Sequence, residues 1–540
     1  MDEPSRERST VGKENLSGSE DSHAQNEKSA AETTKSSGEW ITGIRLVLIA
    51  LGTALALFVA QTEAAVTSTA IISITDDLGF PIIISRLSDI FGRKQALLTC
   101  LFVFVVFSGA CGASQTMLQL IMFRWIKGIG ASGIVVISSL YGFDLRPPEK
   151  WASYGAVISF SITISLAIAP IIGAAFAQVG EWRWVFLLNV PVGAATMILL
   201  FLAMPNKLPL EPAAAPLPQD PSGNTRPRYH NLSQLDIAGV FMILGASVLI
   251  TASLQQVAEG APWQSGQVLA PLILSPIFLL AFIGWQWRLT VQDKKIIPLL
   301  SWRLLTNRVF LFVLLNSFLS GAIMTVTIIQ VPQRFVLTKG LTPMAAGVRL
   351  LPLATTLASA SVIAVIIASK GKIPVIYVMI FAGFLATAGT VGISQTPISP
   401  GIWDPQYGFQ ILIGFGAGTL NIMVVLLPPY IVERKLLAVA NGAIIQMRIL
   451  GGALALAIVT VASSSFLRRS LLEVLNPEEV SEYLHRTETL LTFSPTQQAA
   501  VREINGKYYN LQSKILIGFA VASIISSALQ WQKKQIVLKG

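Results

Sequence analysis

Charged residues are scarce in this 540-residue chain: they make up 13% of it, whereas they make up about a quarter of ordinary soluble domains. Hydrophobic residues account for 53% of the chain, and the mean hydropathy is +0.63. A single soluble core cannot bury that much apolar sequence. The composition therefore argues against a soluble enzyme and predicts an all-α polytopic membrane protein.

Cysteine and histidine are equally rare. The two cysteines, Cys100 and Cys111, lie in or beside one apolar run, a placement that suggests neither a disulfide framework nor a zinc site. The three histidines, His23, His230 and His485, fall outside the apolar runs, so we expect no histidine proton relay across the membrane. We expect no metal and no cofactor.

Acidic residues are fewer than basic ones, with 29 Asp and Glu against 39 Lys and Arg, for a formal net charge of +10. The basic residues lie in short stretches between apolar runs rather than in one long block. That pattern argues against nucleic acid as a partner and is typical of cytosolic loops. Residues 1–44 are mostly polar and Ser- and Glu-rich, so they predict a disordered cytosolic tail rather than a signal peptide.

Long apolar runs set the architecture, because a bilayer core of about 30 Å needs about 20 apolar residues in a helix. About thirteen such runs occur, near 45–66, 96–116, 118–141, 153–178, 183–204, 236–256, 268–287, 309–332, 344–369, 372–394, 406–432, 439–466 and 513–531. From Arg93 onward every second loop is basic, which predicts a cytosolic C-terminus. One step conflicts with this rule. A single span after a cytosolic tail would put Arg93 and Lys94 outside, so something is missing or unusual between Leu78 and Ser85.

The run RLSDIFGRK, from Arg86 to Lys94, lies between two apolar stretches. Gly92 permits a tight turn, Asp89 can cap or pair with a neighbouring helix start, and Arg93 with Lys94 can hold the loop in the cytosol. The run resembles the cytoplasmic-loop signature of the major facilitator superfamily, where such a loop can act as a charge latch between states. An ordinary positive-inside turn is the alternative.

A second run resembles the family's fourth span, while Ser85, just before the first run, stands where the family usually has glycine. The second run, IMFRWIKGIGASG, extends from residue 121 to 133. Its resemblance to the fourth-span pattern implies that Arg124 influences proton binding on a nearby acid. Gly128 would allow close helix packing, and Lys127 stands where the family usually has glutamine. The alternative for Arg124 is a structural or snorkelling arginine.

Two further runs resemble the antiporter branches of the family. AIAPIIGAAFA, residues 167–177, is similar to the fifth-span motif, in which Pro170 and Gly173 would give a kinked and closely packed helix, although Ala169 and Ala174 replace expected glycines. A plain kinked helix is the alternative. EWRWVFLLNVPVG, residues 181–193, resembles the entry to the sixth span of the drug:proton antiporters.

The resemblance implies the fourteen-span arrangement, two six-helix bundles plus two extra spans, here with the second span missing. We expect a tail at 1–44, an incomplete N-terminal bundle at 45–204 and a cytosolic linker at 205–235. Two additional spans at 236–287 would precede a C-terminal bundle at 288–540 with an outer loop at 467–512. A wrongly joined gene model and a genuine deletion both explain the missing span.

Glu63 is the one carboxylate well inside an apolar span, and by its place in the first helix it resembles the family's usual acid. Burial would raise the pKa of such a carboxyl toward neutrality, which makes Glu63 the leading proton-site candidate. A position in water at the outer interface is the alternative. Polar residues of the later spans can line a substrate cavity or bond between helices, namely Asn316, Gln330, Gln410, Asn421, Asn441 and Gln446.

The expected function is proton-coupled efflux of drugs, toxins or secondary metabolites by alternating access, with small organic substrates, protons and the lipid bilayer as partners. The chain has no G-x-x-x-x-G-K-S/T run, which argues against ATP-driven transport. We expect a monomeric, non-enzymatic protein of the plasma membrane, or of the vacuolar membrane. A siderophore-type porter and a non-transporting or defective membrane protein are the alternatives.

Overall fold

The computed structural model describes residues 43–67, 80–145, 151–179, 181–205, 236–258, 260–292, 298–399, 401–433 and 436–538, except for some side chains within these ranges. The regular structure of this described part is helical. In chain order the helices are α1 (Ile44–Thr67), α2 (Phe80–Phe91), α3 (Arg93–Ala113), α4 (Met117–Leu145), α5 (Trp151–Val179), α6 (Trp184–Leu187), α7 (Asn189–Ala203), α8 (Ile237–Ala258), α9 (Gly266–Val291), α10 (Trp302–Thr306), α11 (Arg308–Lys339), α12 (Pro343–Val348), α13 (Leu351–Lys370), α14 (Val375–Ser394), α15 (Pro405–Leu426), α16 (Pro428–Ile431), α17 (Leu437–Leu472), α18 (Pro477–His485) and α19 (Pro495–Ala528), with a 3-10 helix at Thr487–Thr492 before α19.

Twelve segments of the described part are long and apolar enough to cross a membrane. Helices α6 and α7 together form one of them, Trp184–Ala203, and α12 with α13 forms another, Pro343–Lys370. Helix α5 adds 29 residues at the place of the predicted span 153–178. The prediction of an all-α polytopic protein is confirmed, while the count of thirteen spans out of fourteen stays a prediction.

Helix α2 is too short to cross a bilayer by itself. Its 12 residues rise about 18 Å, whereas the hydrocarbon core is about 30 Å thick. It begins at Phe80, inside the stretch where the sequence predicts that something is missing or unusual. Residues 68–79, which precede it, lie outside the described residues.

Helices α1 and α3 begin at the same end of the protein. Arg45 at the start of α1 donates through Nε to the carbonyl of Ala203 at 2.9 Å. Lys94 at the start of α3 donates through Nζ to the carbonyl of Met204 at 2.7 Å. We call this end, where Arg45, Lys94 and Met204 meet, the basic end. Arg93 and Lys94 therefore lie at the end where α1 begins, as the positive-inside rule requires, while residues 68–79 between α1 and α2 are outside the described part.

The later helices alternate in direction as their loops predict. Arg308, the first residue of α11, donates to the carbonyl of Leu529, just beyond α19, at 2.9 Å. The backbone N–H of Val375, the first residue of α14, donates to the carbonyl of Ile536 at 3.0 Å. Helices α11 and α14 therefore begin at the end where α19 finishes.

Two large clusters of buried apolar side chains share helices with one another. The first consists mainly of residues before 205 but includes Ala438 and Ile445 of α17. The second consists mainly of residues after 298 but includes Ile82 of α2. Helices α2 and α17 therefore join the two clusters. Residues 206–235, almost all of the predicted linker, lie outside the description.

The stretch 467–512 is largely helical, although the sequence predicts a loop there. Helix α17 runs on to Leu472, α18 follows, and α19 begins at Pro495 rather than near 513. These segments bury their own apolar cluster, which consists of Leu471, Leu475, Val480, Tyr483, Leu490, Val501 and Ile504. The stretch is helical because this separate apolar cluster stabilises charged amphipathic helices, which need no long apolar run of the kind that marks a membrane span.

Candidate functional site

The turn after α2 is built on Gly92. Its φ is +89°, in the left-handed region that favours glycine, and it caps the start of α3. Arg93 is 8% exposed and donates through its guanidinium to Ser88 Oγ. The Nζ of Lys94 also lies 5.2 Å from the ring centroid of Phe201. The predicted latch thus has both cations held at the basic end by short-range contacts.

Two other residues of the same motif lie on α2. Arg86 donates through its guanidinium to the carbonyl of Pro298 at 2.8 Å, which ties α2 to the segment that leads into α10. Asp89 belongs to α2, but its side chain lies outside the described part. The predicted capping or pairing by Asp89 therefore stays a prediction.

Helices α2 and α17 approach each other closely at two small residues. Ser85 is fully buried, and its Oγ donates to the carbonyl of Ile82 at 2.6 Å. A Cβ added at Gly442 of α17 would lie 2.8 Å from that Oγ and 3.0 Å from the Cα of Ile82. Gly442 thus supplies the space that Ser85 takes up on the facing helix.

Arg124 and Lys127 of α4 share one aromatic neighbour. The Cζ of Arg124 lies 5.9 Å from the ring centroid of Phe186, and the Nζ of Lys127 lies 4.6 Å from the same centroid. Lys127 is 2% exposed and also lies over the ring of Phe104, at 5.3 Å. Cation–π contacts of desolvated groups contribute about 2 kcal/mol. The aromatic rings thus help accommodate a lysine where the family usually has glutamine.

Small residues of α4 lie at its crossings with neighbouring helices. Gly128 is buried. A Cβ added at Gly130 would come within 3 Å of the backbone of Cys100 and Phe104 on α3, and one at Gly133 would strike the sulfur of Cys100. Gly130 and Gly133, which share the run with Gly128, are thus the positions that set the α3–α4 contact.

Three predicted residues are described only in part. Glu63 lies in the last turns of α1, and Pro170 lies within the continuous helix α5, but the side chains of both are outside the description. Gly173 is half-buried in α5. Their proposed roles in proton binding and helix kinking stay predictions.

The six predicted cavity residues lie in separate surroundings. Asn316 donates to Ser527 Oγ at 2.6 Å, Asn421 accepts from Arg448, and Gln330 lines a small cavity within the C-terminal half. The other three are at most 1% exposed, and none of their amide atoms has a hydrogen-bond partner in the described structure. These are Gln410, Asn441 and Gln446. Buried amides without a protein partner are typical of sites that bind water or a ligand.

Arg448 is a charge inside a membrane helix that the sequence reasoning passed over. Its guanidinium donates to Oδ1 of Asn421 at 2.7 Å. Next to it, a Cβ added at Gly321 of α11 would fall within 3 Å of the Arg448 backbone, and one at Gly451 would meet the carbonyl of Phe318. A charge within the predicted span 439–466 was the available signal, because such residues mark functional positions.

Asp236 is a second residue that was not singled out. It is 2% exposed, and its Oδ1 accepts from the backbone N–H of Gly239 at 2.8 Å and from Nε1 of Trp285 at 2.7 Å. Its Oδ2 accepts from Nε2 of Gln286 and from the backbone N–H of Leu299. This carboxylate therefore joins the start of α8, the end of α9 and the segment that enters α10.

Comparison of the sequence with known proteins identifies the family to which the chain belongs. The sequence pattern of the Major Facilitator Superfamily matches residues 37–456. The MFS-type transporter FPY5 of Fusarium mangiferae is 33% identical over 90% of this chain and 84% of the relative. The MFS-type efflux pump LUC4 of a Fusarium species is 27% identical over 90% of this chain and 88% of the relative.

A solved structure has the same fold. The bacterial homolog of the human lysosomal transporter Spinster, in an inward-facing and occupied conformation, superposes with a TM-score of 0.54 at 13% identity. That likeness covers 91% of this chain and 98% of the bacterial chain. The fold and the matched sequence agree: the chain belongs to the major facilitator superfamily and is a multi-pass membrane protein.

Proposed function

We propose that the protein exports small organic compounds, such as drugs, toxins or secondary metabolites, in exchange for protons, with Glu63 as the proton-binding carboxylate. Membership of a transporter family and likeness to a named efflux pump support export. The observation that carries the proton step is the pair of cations on α4. Arg124 and Lys127 converge on Phe186 near the start of α4, and α1, which carries Glu63 near its end, packs against α4.

The contact between α2 and α17, which connects the two apolar clusters, supports alternating access. Rocking of residues 45–204 against residues 288–540 would open and close the contact between α2 and α17 at the basic end. Residues 236–287 would then be two additional spans that accompany this movement. The protein acts as a monomeric transporter in the plasma membrane and not as an enzyme.

Transport by purified protein in liposomes tests this function. Ethidium and rhodamine 6G serve as probes, and a pH step across the membrane supplies the driving force. We expect the wild type to move at least one probe when the pH step is applied. Glu63→Gln should lose this pH-driven movement by more than tenfold, because the amide cannot exchange a proton. Glu63→Asp, which keeps a carboxylate, should retain part of it.

The matched control is Glu503→Gln. Its carboxylate pairs with Lys507 at 2.7 Å, and both side chains are about half exposed, at 56% and 52%. This variant should transport like the wild type. Unchanged pH-driven transport by Glu63→Gln would remove Glu63 from the mechanism.

A non-transporting membrane protein is the second candidate, and departures from the family's usual residues favour it. Lys127 stands where the family usually has glutamine, and Ala169 and Ala174 replace expected glycines. The same liposomes decide between the two. If correctly inserted wild type moves neither probe under any pH step, the second candidate holds and the export proposal is wrong.

A further inference from the structure

A small cavity lies among four helices of the C-terminal half, α11, α14, α15 and α19. Its volume is about 20 Å³ for the centre of a water-sized sphere. That is enough for one or two small atoms, because one water needs about 10–15 Å³ on this measure. The lining residues are Thr327, Gln330, Val331, Arg334, Thr390, Ile393, Ile413, Tyr509, Ser513 and Leu516.

The charge at this cavity is positive. Arg334 is 8% exposed, and its guanidinium donates to the carbonyls of Ile393 and Thr396 at 3.4 and 3.3 Å, both long for hydrogen bonds. These two contacts engage two of the five N–H groups of a guanidinium. The lining residues include no Asp or Glu, and the ion pairs of the described residues do not involve Arg334.

A second donor lies on the same face of α11. Gln330 is one helical turn before Arg334 and 7% exposed, and its Nε2 has no hydrogen-bond partner in the described part of the chain. The hydroxyls of Thr327 and Thr390 donate to backbone carbonyls of their own helices, at 2.7 Å each. The wall thus presents the amide N–H₂ of Gln330 close to the cation of Arg334.

A purely structural role explains only part of this arrangement. Arg334 at the carbonyl end of α14 is favourable, because a cation there complements the helix dipole. That role gives no partner to the buried amide of Gln330, and a buried donor left unpaired is destabilising. An acceptor with negative charge would satisfy both side chains at once.

We propose that this cavity binds a monovalent inorganic anion of the size of chloride, between the guanidinium of Arg334 and the amide N–H₂ of Gln330. The space fits one small ion, and its wall comes from the C-terminal half of the molecule alone. The anion would neutralise Arg334 and give the amide of Gln330 an acceptor.

Thermal unfolding of the purified full-length protein tests the site. Sodium chloride is compared with sodium gluconate at equal concentration, because gluconate is too large for the cavity. A ligand that binds the folded state at about ten times its Kd should raise the Tm by roughly 1–3 °C. Arg334→Gln and Gln330→Leu should each abolish this chloride-dependent rise. Gln330→Leu keeps the side-chain volume, so it answers the question even if Arg334→Gln does not fold.

The matched control is Arg308→Gln on the same helix. Arg308 also donates to a carbonyl beyond a helix end, that of Leu529, but it is exposed and lines no part of this cavity. Its variant should keep the chloride response. The proposal is overturned if the wild type melts identically in both salts, or if the Gln330 variant responds to chloride like the wild type.

Discussion

The indole N–H of Trp285 donates to the carboxylate of Asp236 at 2.7 Å, across 49 residues of chain. The same carboxylate accepts three further hydrogen bonds from Gly239, Gln286 and Leu299. The carbonyl of Pro298, next to Leu299, accepts from Arg86 of α2. One buried carboxylate thus connects α8 and α9 to the segment before α10, and α2 contacts the same segment through Arg86.

Replacing this acid should weaken the protein as a whole. Asp236→Ala leaves four donors without their acceptor, and each unsatisfied buried donor costs about 1–3 kcal/mol. We expect a fall in Tm of several degrees, measured by thermal unfolding of the purified protein in detergent. Gln292→Ala is the control, because Gln292 accepts one exposed 3.3 Å hydrogen bond from Arg288 at the end of α9. If both variants melt together, the Asp236 network contributes little.

The crossing of α11 and α17 depends on glycine. A Cβ at Gly321 or Gly451 would fall within 3 Å of backbone atoms of the other helix. Because backbone cannot move aside as a flexible side chain can, we expect Gly451→Ala to destabilise the fold by about 1–3 kcal/mol.

The control for this crossing is Gly518→Ala on α19, where an added Cβ would meet nothing within 4 Å. Alanine in a helix is more favourable than glycine by about 0.5–1 kcal/mol, so this variant should melt at or above the wild-type temperature. Equal melting of the Gly451 and Gly518 variants would show that the two helices separate at little cost.

The membrane helices were predictable because the bilayer imposes their length. Runs of about 20 apolar residues mark them, and the helices from α3 to α15 lie close to those runs. The extension of α17 to Leu472 and the start of α19 at Pro495 were not marked by hydropathy, because these segments pack on each other. A cap signal was nevertheless present: the N–H of Ser494 donates to Oε1 of Gln497 at 3.1 Å, a capping box readable in the sequence.

The polar contacts were less predictable than the spans. Arg448 is a charge in an apolar run, which was a readable signal although it was passed over, and its partner Asn421 is 27 residues away on another helix. Asp236 was not singled out, because its partners Trp285 and Gln286 come from packing that no local sequence pattern encodes. Glu63 shows the opposite case, since the sequence singles it out while its side chain lies outside the described residues.

Burial of Tyr483 makes the helical stretch after α17 sensitive to alkaline pH. Desolvation raises the pKa of this hydroxyl above its ordinary value of 10.0, although the hydrogen bond from Asn505, at 2.8 Å, lowers it in part. A raised folded-state pKa contributes stability below pH 10 that is lost as the pH rises toward the folded-state value. At pH 8, Tyr483→Phe should be less stable than the wild type by about 1 kcal/mol, because it lacks the hydrogen bond from Asn505.

The difference in stability between the wild type and Tyr483→Phe should narrow above pH 10. The wild type loses the stability that comes from the raised pKa of Tyr483, whereas phenylalanine has no proton to lose. Melting curves from pH 8 to pH 11 measure it. Tyr377→Phe is the control for the loss of a tyrosine hydroxyl, since that tyrosine is 52% exposed, and at pH 8 it should melt like the wild type. A gap that stays constant with pH would mean that Tyr483 does not titrate differently on unfolding.

The close approach of Ser85 and Gly442 should decide how readily the basic end closes. In Gly442→Ala the new Cβ would lie 2.8 Å from Ser85 Oγ, 3.0 Å from Ile82 Cα and 3.1 Å from the carbonyl oxygen of Pro81. The hydroxyl can rotate, but the backbone of α2 cannot, so closure should cost about 1–3 kcal/mol more than in the wild type. The population should shift toward states in which α2 and α17 are apart at this end.

Spin labels at Phe91→Cys and Glu433→Cys, two exposed positions at the basic end, report this shift as a longer distance in Gly442→Ala. The native cysteines Cys100 and Cys111 are buried and should label poorly. Adding Ser85→Gly removes the Oγ and should restore the short distance in part, because the contact with Ile82 remains. That partial rescue separates a specific contact from general damage to α17. Equal distances in the wild type and Gly442→Ala would show that these two helices do not form the closing contact.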